Sequence, residues 1–119
     1  MARAAPTIDS YGAGGFRLSG EWHAGSVLIV GDEARPWPVA NLLELTPESL
    51  APVFAAPRAD MEFLLLGVGA INTMPPIAVR DALRSLGIGL EFMATPQAAK
   101  LYNVLTAEGR RLAAGLIAI

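Results

Sequence analysis

Residues 87–119 read GIGLEFMATPQAAKLYNVLTAEGRRLAAGLIAI, and this stretch decides the fold. Residues 89–93 form a short apolar run that is typical of a strand. Thr95 and the proline after it have the form of a helix start, with Thr95 as the N-cap, and Gly109 marks the helix end. Residues 112–119 are apolar without alternation, as expected for a strand covered on both faces. The stretch therefore predicts strand, helix and buried strand, joined by short loops.

The predicted helix has one apolar stripe and one face of small and polar residues. The buried stripe comprises Ala98, Leu101, Tyr102 and Leu105. Asn103 lies on the other face with Ala99 and Ala107, where it is either a solvated helix residue or makes a polar contact with a neighbouring loop or across an interface. Small alanines would let another surface approach this face closely. We therefore take Ala99, Tyr102, Asn103 and Ala107 as candidate interaction residues.

The preceding residues alternate between strand and helix patterns. Residues 62–66 (EFLLL) predict a strand that turns at Gly67-Val68-Gly69, and an amphipathic helix opens at Pro76 and ends at Gly87. Thr46-Pro47 has the same form of helix start as the pair at 95 and 96. Such alternation predicts βαβ units in a layered α/β domain.

The N-terminal third has a β pattern instead. Short apolar runs in residues 8–39 are broken by glycines, which predicts a meander of antiparallel hairpins. The predicted fold is therefore α/β, a single three-layer domain over 1–119. In it an N-terminal β-meander precedes β-α-β-α-β, and residues 1–6 are flexible. Periodicity leaves open whether the last strand is parallel or antiparallel.

Composition narrows the class of protein. The chain has 119 residues, of which 53% are hydrophobic and 17% charged, with a net charge of −2 and no cysteine. The lack of a basic cluster argues against nucleic-acid binding, and the lack of cysteine excludes disulfides and Cys-ligated metals. The longest uncharged run, residues 63–79, contains adjacent prolines and predicts no transmembrane helix. We expect a soluble, cytoplasmic protein.

One crevice is a candidate ligand site. Asn72 stands where a dinucleotide fingerprint needs its third glycine, so Gly67-Val68-Gly69 indicates a plain tight turn. Ligands of open α/β sheets nevertheless bind outside the carboxyl ends of the strands, and the N–H groups of helix N-termini attract anions. One hypothesis is that a small anion binds at Gly67, Gly69, Asn72 and Thr95. The simpler alternative is that Thr95 only caps its helix.

No residue pattern predicts catalysis. His23, the only histidine, lies beside Trp22 and before a glycine, as a turn residue would, and nothing marks Ser26 as a nucleophile. We therefore predict no catalytic residue, no metal site and no cofactor.

Residues 89–117 (GLEFMATPQAAKLYNVLTAEGRRLAAGLI) resemble the small domain family that includes mitochondrial complex I assembly factor 3 and many uncharacterised bacterial and archaeal proteins. Further matching segments are IDSYGAGGFRLSG followed by GSVLIV, LLLGVG, and the helix pattern T-P-x-x-A…Y-N-x-L…E-G-R. The family usually has Gly-Thr-Gly where this chain has Val68 between its glycines, which leaves Gly67 and Gly69 as backbone requirements. The match spans Ile8 to Ile117.

The resemblance implies a three-layer α/β fold with a mixed sheet. It also implies a non-enzymatic interaction module that aids assembly of respiratory complex I (NADH:ubiquinone oxidoreductase) in a bacterial cytoplasm, peripheral to the inner membrane through its partners. Complex I subunits or assembly proteins would then be the protein partners, and homo-oligomerisation is left open. The alternative is a small-molecule or anion binder, or an enzyme, that uses the crevice at Gly67–Asn72 and Thr95.

Overall fold

The computed structural model describes residues 5–119. Residues 1–4, which hold most of the predicted flexible segment 1–6, lie outside the described residues, while Ala5 and Pro6 belong to no helix or strand. The strands are β1 (Ile8–Gly12), β2 (Gly15–Leu18), β3 (Glu21–Ala24), β4 (Ser26–Val30), β5 (Glu33–Trp37), β6 (Phe63–Gly67), β7 (Gly89–Met93) and β8 (Ala113–Leu116). The helices are α1 (Ala51–Ala55), α2 (Ile77–Ser85) and α3 (Thr95–Ala107). Short 3-10 turns lie at Leu42–Glu44, Glu48–Leu50 and Arg58–Asp60.

The main sheet is mixed, as predicted. Its five strands run in the order β5-β4-β8-β6-β7. Strands β7 and β8 are parallel to β6, whereas β4 is antiparallel to both β8 and β5. The last strand thus lies at the centre of the sheet, parallel to one neighbour and antiparallel to the other.

Alternating side chains of the central strands build two cores. Leu64 and Leu66 of β6 pack in one core with residues of α1 and α2, and Leu65 packs in the other with residues of α3, β1 and β2. The five-stranded sheet is therefore the middle of three layers. The predicted three-layer α/β fold is confirmed.

The central strand β8 (AAGL) is built of small residues because a large side chain crosses it. A Cβ atom placed on Gly115 would lie 2.8 Å from the indole of Trp37 and 3.1 Å from Leu66. Trp37 itself is buried, and its indole Nε1 donates a hydrogen bond to the Ser49 carbonyl over 2.8 Å. Glycine at 115 therefore allows Trp37 to pack across the centre of the sheet.

The predicted meander is divided between two sheets. Strands β1, β2 and β3 form a separate antiparallel sheet, whereas β4 and β5 join the main sheet, and the chain changes sheet at Gly25, where φ is +81°. All five residues of β4 are buried, so this strand needs covered faces and a partner on each edge. Strand β8 supplies the second partner in place of β3.

The predicted helix ends are confirmed, and the helix start predicted at Thr46 differs. After α2, the Ile88 N–H donates to the Leu83 carbonyl and the Gly87 N–H to Arg84, the pattern of a Schellman cap. The hydroxyl of Thr46 does accept a hydrogen bond from the Ser49 N–H, at 3.2 Å. The chain nevertheless begins there with a 3-10 turn, and the α-helix that follows has only five residues.

Candidate functional site at the carboxyl ends of the parallel strands

Thr95 joins the carboxyl ends of the three parallel strands. Its buried hydroxyl donates to the Ile117 carbonyl at 2.8 Å and accepts from the Gly69 N–H at 3.0 Å. Its own N–H donates to the Gly69 carbonyl at 2.8 Å. The prediction that Thr95 is the N-cap of α3 is wrong, since Ala94 occupies that position and Thr95 is the first helical residue. Its hydroxyl is turned into the sheet, where it satisfies two backbone groups that would otherwise be unpaired.

Gly67 and Gly69, in the turn after β6, are glycines for two different reasons. A Cβ atom on Gly67 would lie 3.0 Å from Thr95 Oγ1 and 3.0 Å from Leu116 Cδ2, so a side chain would push α3 away from the sheet. Gly69 has φ +109°, a conformation that other residues rarely adopt. Gly67, Gly69 and Thr95 are therefore brought together, while Asn72 lies exposed in the loop beyond them.

The N-terminus of α3 has few free donors for an anion. The Thr95 N–H is bonded to Gly69, and Pro96 has no N–H. The Ala98 N–H donates to the Ala94 carbonyl within the helix. The geometry at this edge therefore offers little positive potential to an anionic ligand.

A wide apolar groove opens at the same edge of the sheet. Its volume is about 580 Å³. The residues that line it come from three segments and are Ala40, Asn41, Leu42, Val68, Gly69, Ala70, Ile71, Thr73, Ile117, Ala118 and Ile119. No described residue that lines the groove has an ionisable side chain. The groove can therefore hold apolar groups, with polar contacts limited to amides, hydroxyls and backbone.

Large apolar side chains are exposed in the segments that form this groove. Ile71 is 77% exposed, Met74 farther along the same loop is 59% exposed, and Ile77, the first residue of α2, is 65% exposed. Leu43, next to the groove residue Leu42, is 94% exposed. Sequence reasoning missed these residues because they lie outside helix and strand periodicity. The signal that could have found them is the presence of large apolar residues in a loop rich in glycine and proline, where no core position accounts for them.

The small-residue face of α3 is covered by the chain's own N-terminal sheet. The Asn103 side chain accepts a hydrogen bond from the Ile8 N–H and donates one to the Ile8 carbonyl, both at 2.8 Å. Ala99 and Tyr102 are buried beneath it, and Ala107 is exposed at the end of the helix. Asn103 is therefore not a solvated residue, and its polar contact is with β1 of the same chain. The alanines permit the close approach of this strand.

Ser26 and His23 lie on different sheets. The Ser26 hydroxyl donates to the Val39 carbonyl at 2.7 Å and accepts from the Ala118 N–H at 2.9 Å. Ser26 is buried, whereas His23 lies half-buried on β3 opposite Phe16. Ser26 is thus engaged in holding the C-terminal segment against β4.

A charged cluster lies at the opposite, amino end of the parallel strands. Arg110 Nη2 lies 3.0 Å from Glu62 Oε1, and the Arg111 N–H donates to Glu62 Oε2 at 3.2 Å. The Arg110 hydrogen bond, with help from the Arg111 N–H, lowers the pKa of the Glu62 carboxyl. The cluster ties the start of β6 to the segment before β8.

Residues 5–119 contain neither a cluster of metal-binding side chains nor a membrane-spanning helix. No three His, Asp or Glu side chains lie together as a metal-binding group in this part of the chain. None of its helices combines the length and hydropathy needed to cross a membrane.

Comparison with known proteins identifies the family. The chain is 37% identical to an uncharacterised protein of Rhodobacter capsulatus over 110 residues, which cover 92% of this chain and 82% of that protein. It is 32% identical over 116 residues to the NADH dehydrogenase [ubiquinone] 1 alpha subcomplex assembly factor 3 of Danio rerio. That match covers 98% of this chain but only 66% of the longer relative.

A solved structure agrees with the fold. A crystal structure from Bartonella henselae, described as an outer membrane protein, superposes with a TM-score of 0.88 at 32% identity, covering 96% of this chain and 95% of that one. The family model described as a protein of unknown function (DUF498/DUF598) matches residues 8–117. The resemblance to the family of complex I assembly factor 3 is confirmed, and the chain belongs to the DUF498/DUF598 family of proteins of unknown function.

Proposed function

We propose that this chain is a non-enzymatic interaction module that assists assembly of respiratory complex I, and that it binds a protein partner through the apolar groove. The observation that carries the proposal is the apolar groove together with the large exposed apolar side chains in and near its walls, among them the lining residue Ile71 at 77% exposure. Exposed apolar side chains around an apolar groove are a usual feature of interaction sites on proteins. The relative named as a complex I assembly factor supports this choice of partner.

The chemistry of the groove favours binding over catalysis. No side chain of its described lining is an acid, a base or a nucleophile with an ionisable group. The Thr95 hydroxyl behind it is fully engaged with Gly69 and Ile117. A buried network of this kind keeps the strand ends rigid, which suits a preformed docking surface. In this proposal the module acts in the cytoplasm and reaches the inner membrane only through its partners.

The proposal is tested by affinity purification from the native host with matched variants. The wild-type chain is expected to recover complex I subunits or assembly proteins, and Ile71→Glu is expected to lose them because it places a charge in an apolar contact. Val104→Glu is the control, since Val104 is a similarly exposed residue on α3. Recovery of no such protein by the wild type, or equal recovery by both variants, would contradict the proposal.

A second candidate function is the binding of a small molecule in the same crevice. It is supported by the groove volume of about 580 Å³, which falls in the range of about 300–1,000 Å³ usual for ligand pockets. The apolar lining favours an apolar ligand over the anion expected at Gly67, Gly69, Asn72 and Thr95. NMR titration with a panel of small uncharged aliphatic and aromatic compounds tests it. Binding would shift the amide signals of Gly69, Ala70 and Ile117, and unchanged signals would exclude the panel as ligands.

A further inference from the structure

The two edges of the main sheet are protected to different degrees. Strand β5 has Pro36 within it and carries the charged residues Glu33 and Arg35, features that discourage pairing with another strand. Strand β7, at the other edge, has the sequence GLEFM, with neither proline nor lysine and a single charge at Glu91. The β7 edge is therefore the one that can accept a further strand.

The backbone register indicates which groups β7 presents to solvent. The Met93 carbonyl accepts a hydrogen bond from the Val68 N–H and so faces β6. Because backbone groups of alternate residues in a strand point to the same side, Glu91 also faces β6, while Leu90 and Phe92 direct their N–H and C=O groups to the open edge. The edge thus offers two donors and two acceptors at the spacing of a β-ladder.

A crevice beside this edge supplies apolar and charged side chains that a bound strand could contact. The crevice, of about 310 Å³, lies between α2 and β7 and is lined by Leu83, Ile88, Leu90, Phe92, Arg80 and Arg84. Leu90 and Phe92 are half-buried and pack against the core below them. Both arginines lie on α2, where Asp81 lies 3.6 Å from Arg84, and Arg80 Nε donates a hydrogen bond to the Pro75 carbonyl at 3.1 Å. The rim is therefore apolar at its base and net positive above it.

The charges argue against a second copy of this chain at the edge. A two-fold antiparallel pairing of β7 with itself, in the register that pairs all five residues, would set Glu91 opposite Glu91 of the other copy. It would also bring both pairs of arginines to the same side of the joined sheet. Like charges directly opposite each other destabilise a strand pair.

We infer that β7 binds an extended segment of a different protein by strand addition, and that this segment carries acidic and apolar residues on the face that meets α2. Main-chain hydrogen bonds to Leu90 and Phe92 supply affinity, and the crevice with its two arginines selects the side chains. This surface is separate from the apolar groove, so it can be occupied at the same time.

The test uses a phage-displayed library of random 12-residue linear peptides, selected on the full chain. We expect enrichment of peptides in which aliphatic and acidic residues recur at every second position, so that they lie on one face of an extended strand. The double variant Arg80→Glu/Arg84→Glu is expected to reverse the enrichment to basic residues. Failure to enrich any such pattern on the wild type, or the same acidic pattern on the double variant, overturns the inference.

Backbone pairing is tested on one synthetic peptide from that selection. Leu90→Pro, which removes an outward N–H, is expected to weaken binding at least tenfold more than Leu90→Ala, which keeps it. If the proline variant does not fold, backbone hydrogen exchange of the wild-type chain, measured with and without the peptide, provides the test instead. Slowed exchange at Leu90 and Phe92 on peptide binding supports strand addition, and unchanged exchange there overturns it. The Ile71→Glu variant should bind this peptide as the wild type does, because Ile71 lies in the groove and not at the β7 edge. Dimerisation of the free chain through β7 would overturn the choice of a different protein as the partner.

Discussion

Replacing Thr95 with valine tests the contact that holds the strand ends together. Valine has nearly the shape of threonine, so the change removes the hydroxyl without opening a large cavity. It leaves the Gly69 N–H and the Ile117 carbonyl without their partner at 3.0 and 2.8 Å. Each hydrogen bond contributes about 0.5–1.5 kcal/mol net, and each buried group left unpaired costs about 1–3 kcal/mol. We expect Thr95→Val to lower the free energy of unfolding by about 2–4 kcal/mol.

Urea denaturation followed by tryptophan fluorescence and circular dichroism measures the change. With a slope of about 1.5–2 kcal/mol per molar urea, the midpoint should fall by about 1–2 M. Thr95→Ser is the matched control, because it keeps the hydroxyl and loses only a methyl group, at a cost of about 1 kcal/mol. Hydrogen exchange at the Gly69 amide should accelerate in the valine variant only. Equal stability of the two variants, with unchanged exchange at Gly69, would refute this reasoning.

Three other substitutions follow from contacts elsewhere in the fold. Asn103→Ala should lower the free energy of unfolding by about 2 kcal/mol, because it removes both hydrogen bonds to Ile8. Chemical denaturation measures this change. A loss of stability no larger than that of the exposed control Val104→Ala would contradict the prediction. Gly115→Ala should lower the free energy of unfolding by about 1–3 kcal/mol through overpacking, because the added Cβ would lie 2.8 Å from Trp37. The Trp37 emission should shift, and a thermal melt like that of the wild type would count against it. The lowered pKa of Glu62 means that its carboxylate stabilises the fold above its unfolded-state pKa and loses this effect as the pH falls through the folded-state value. The stability difference between wild type and Glu62→Gln should therefore be present near neutral pH and shrink as the pH falls from the ordinary glutamate pKa of 4.5 through the lower folded-state pKa, whereas a pH-independent difference would exclude the ionic explanation.

The elements with strong local signals could be predicted from the sequence. The cap at Gly87 requires a positive φ, here +71°. The apolar run at residues 112–119 predicted a strand covered on both faces, and its part Ala113–Leu116 forms the buried strand β8. These features are decided within a few residues by backbone conformation and burial. For the same reason the class of fold followed from the alternation of such elements, whereas the mixed sheet was implied only by the family resemblance.

The contacts that join distant parts of the chain could not be predicted. Thr95-Pro96 is a good local helix start, but the Thr95 hydroxyl instead pairs with the Gly69 N–H and the Ile117 carbonyl, which would otherwise lack a partner. Asn103 contacts Ile8, which lies 95 positions away. In both cases local propensity was overridden by the need to satisfy buried backbone groups of other elements, a need that one sequence does not reveal.

The candidate surface was missed for a related reason. Periodicity finds residues that belong to helices and strands, whereas Ile71 and Met74 belong to a loop and are exposed there. Asn72, which sequence reasoning selected, lies between them. The predicted crevice and the apolar groove lie at the same edge of the sheet, and the groove lining is apolar where the prediction placed an anion.

The central claim is that the groove contacts a protein of complex I assembly, and site-specific photo-crosslinking in the native host tests it most directly. A photoreactive amino acid replaces Ile71 in one strain and the exposed Val104 in another. The proposal predicts a crosslink from position 71, and none from position 104, to a complex I subunit or assembly protein. Absence of such a product from position 71, or the same product from both positions, would contradict the claim.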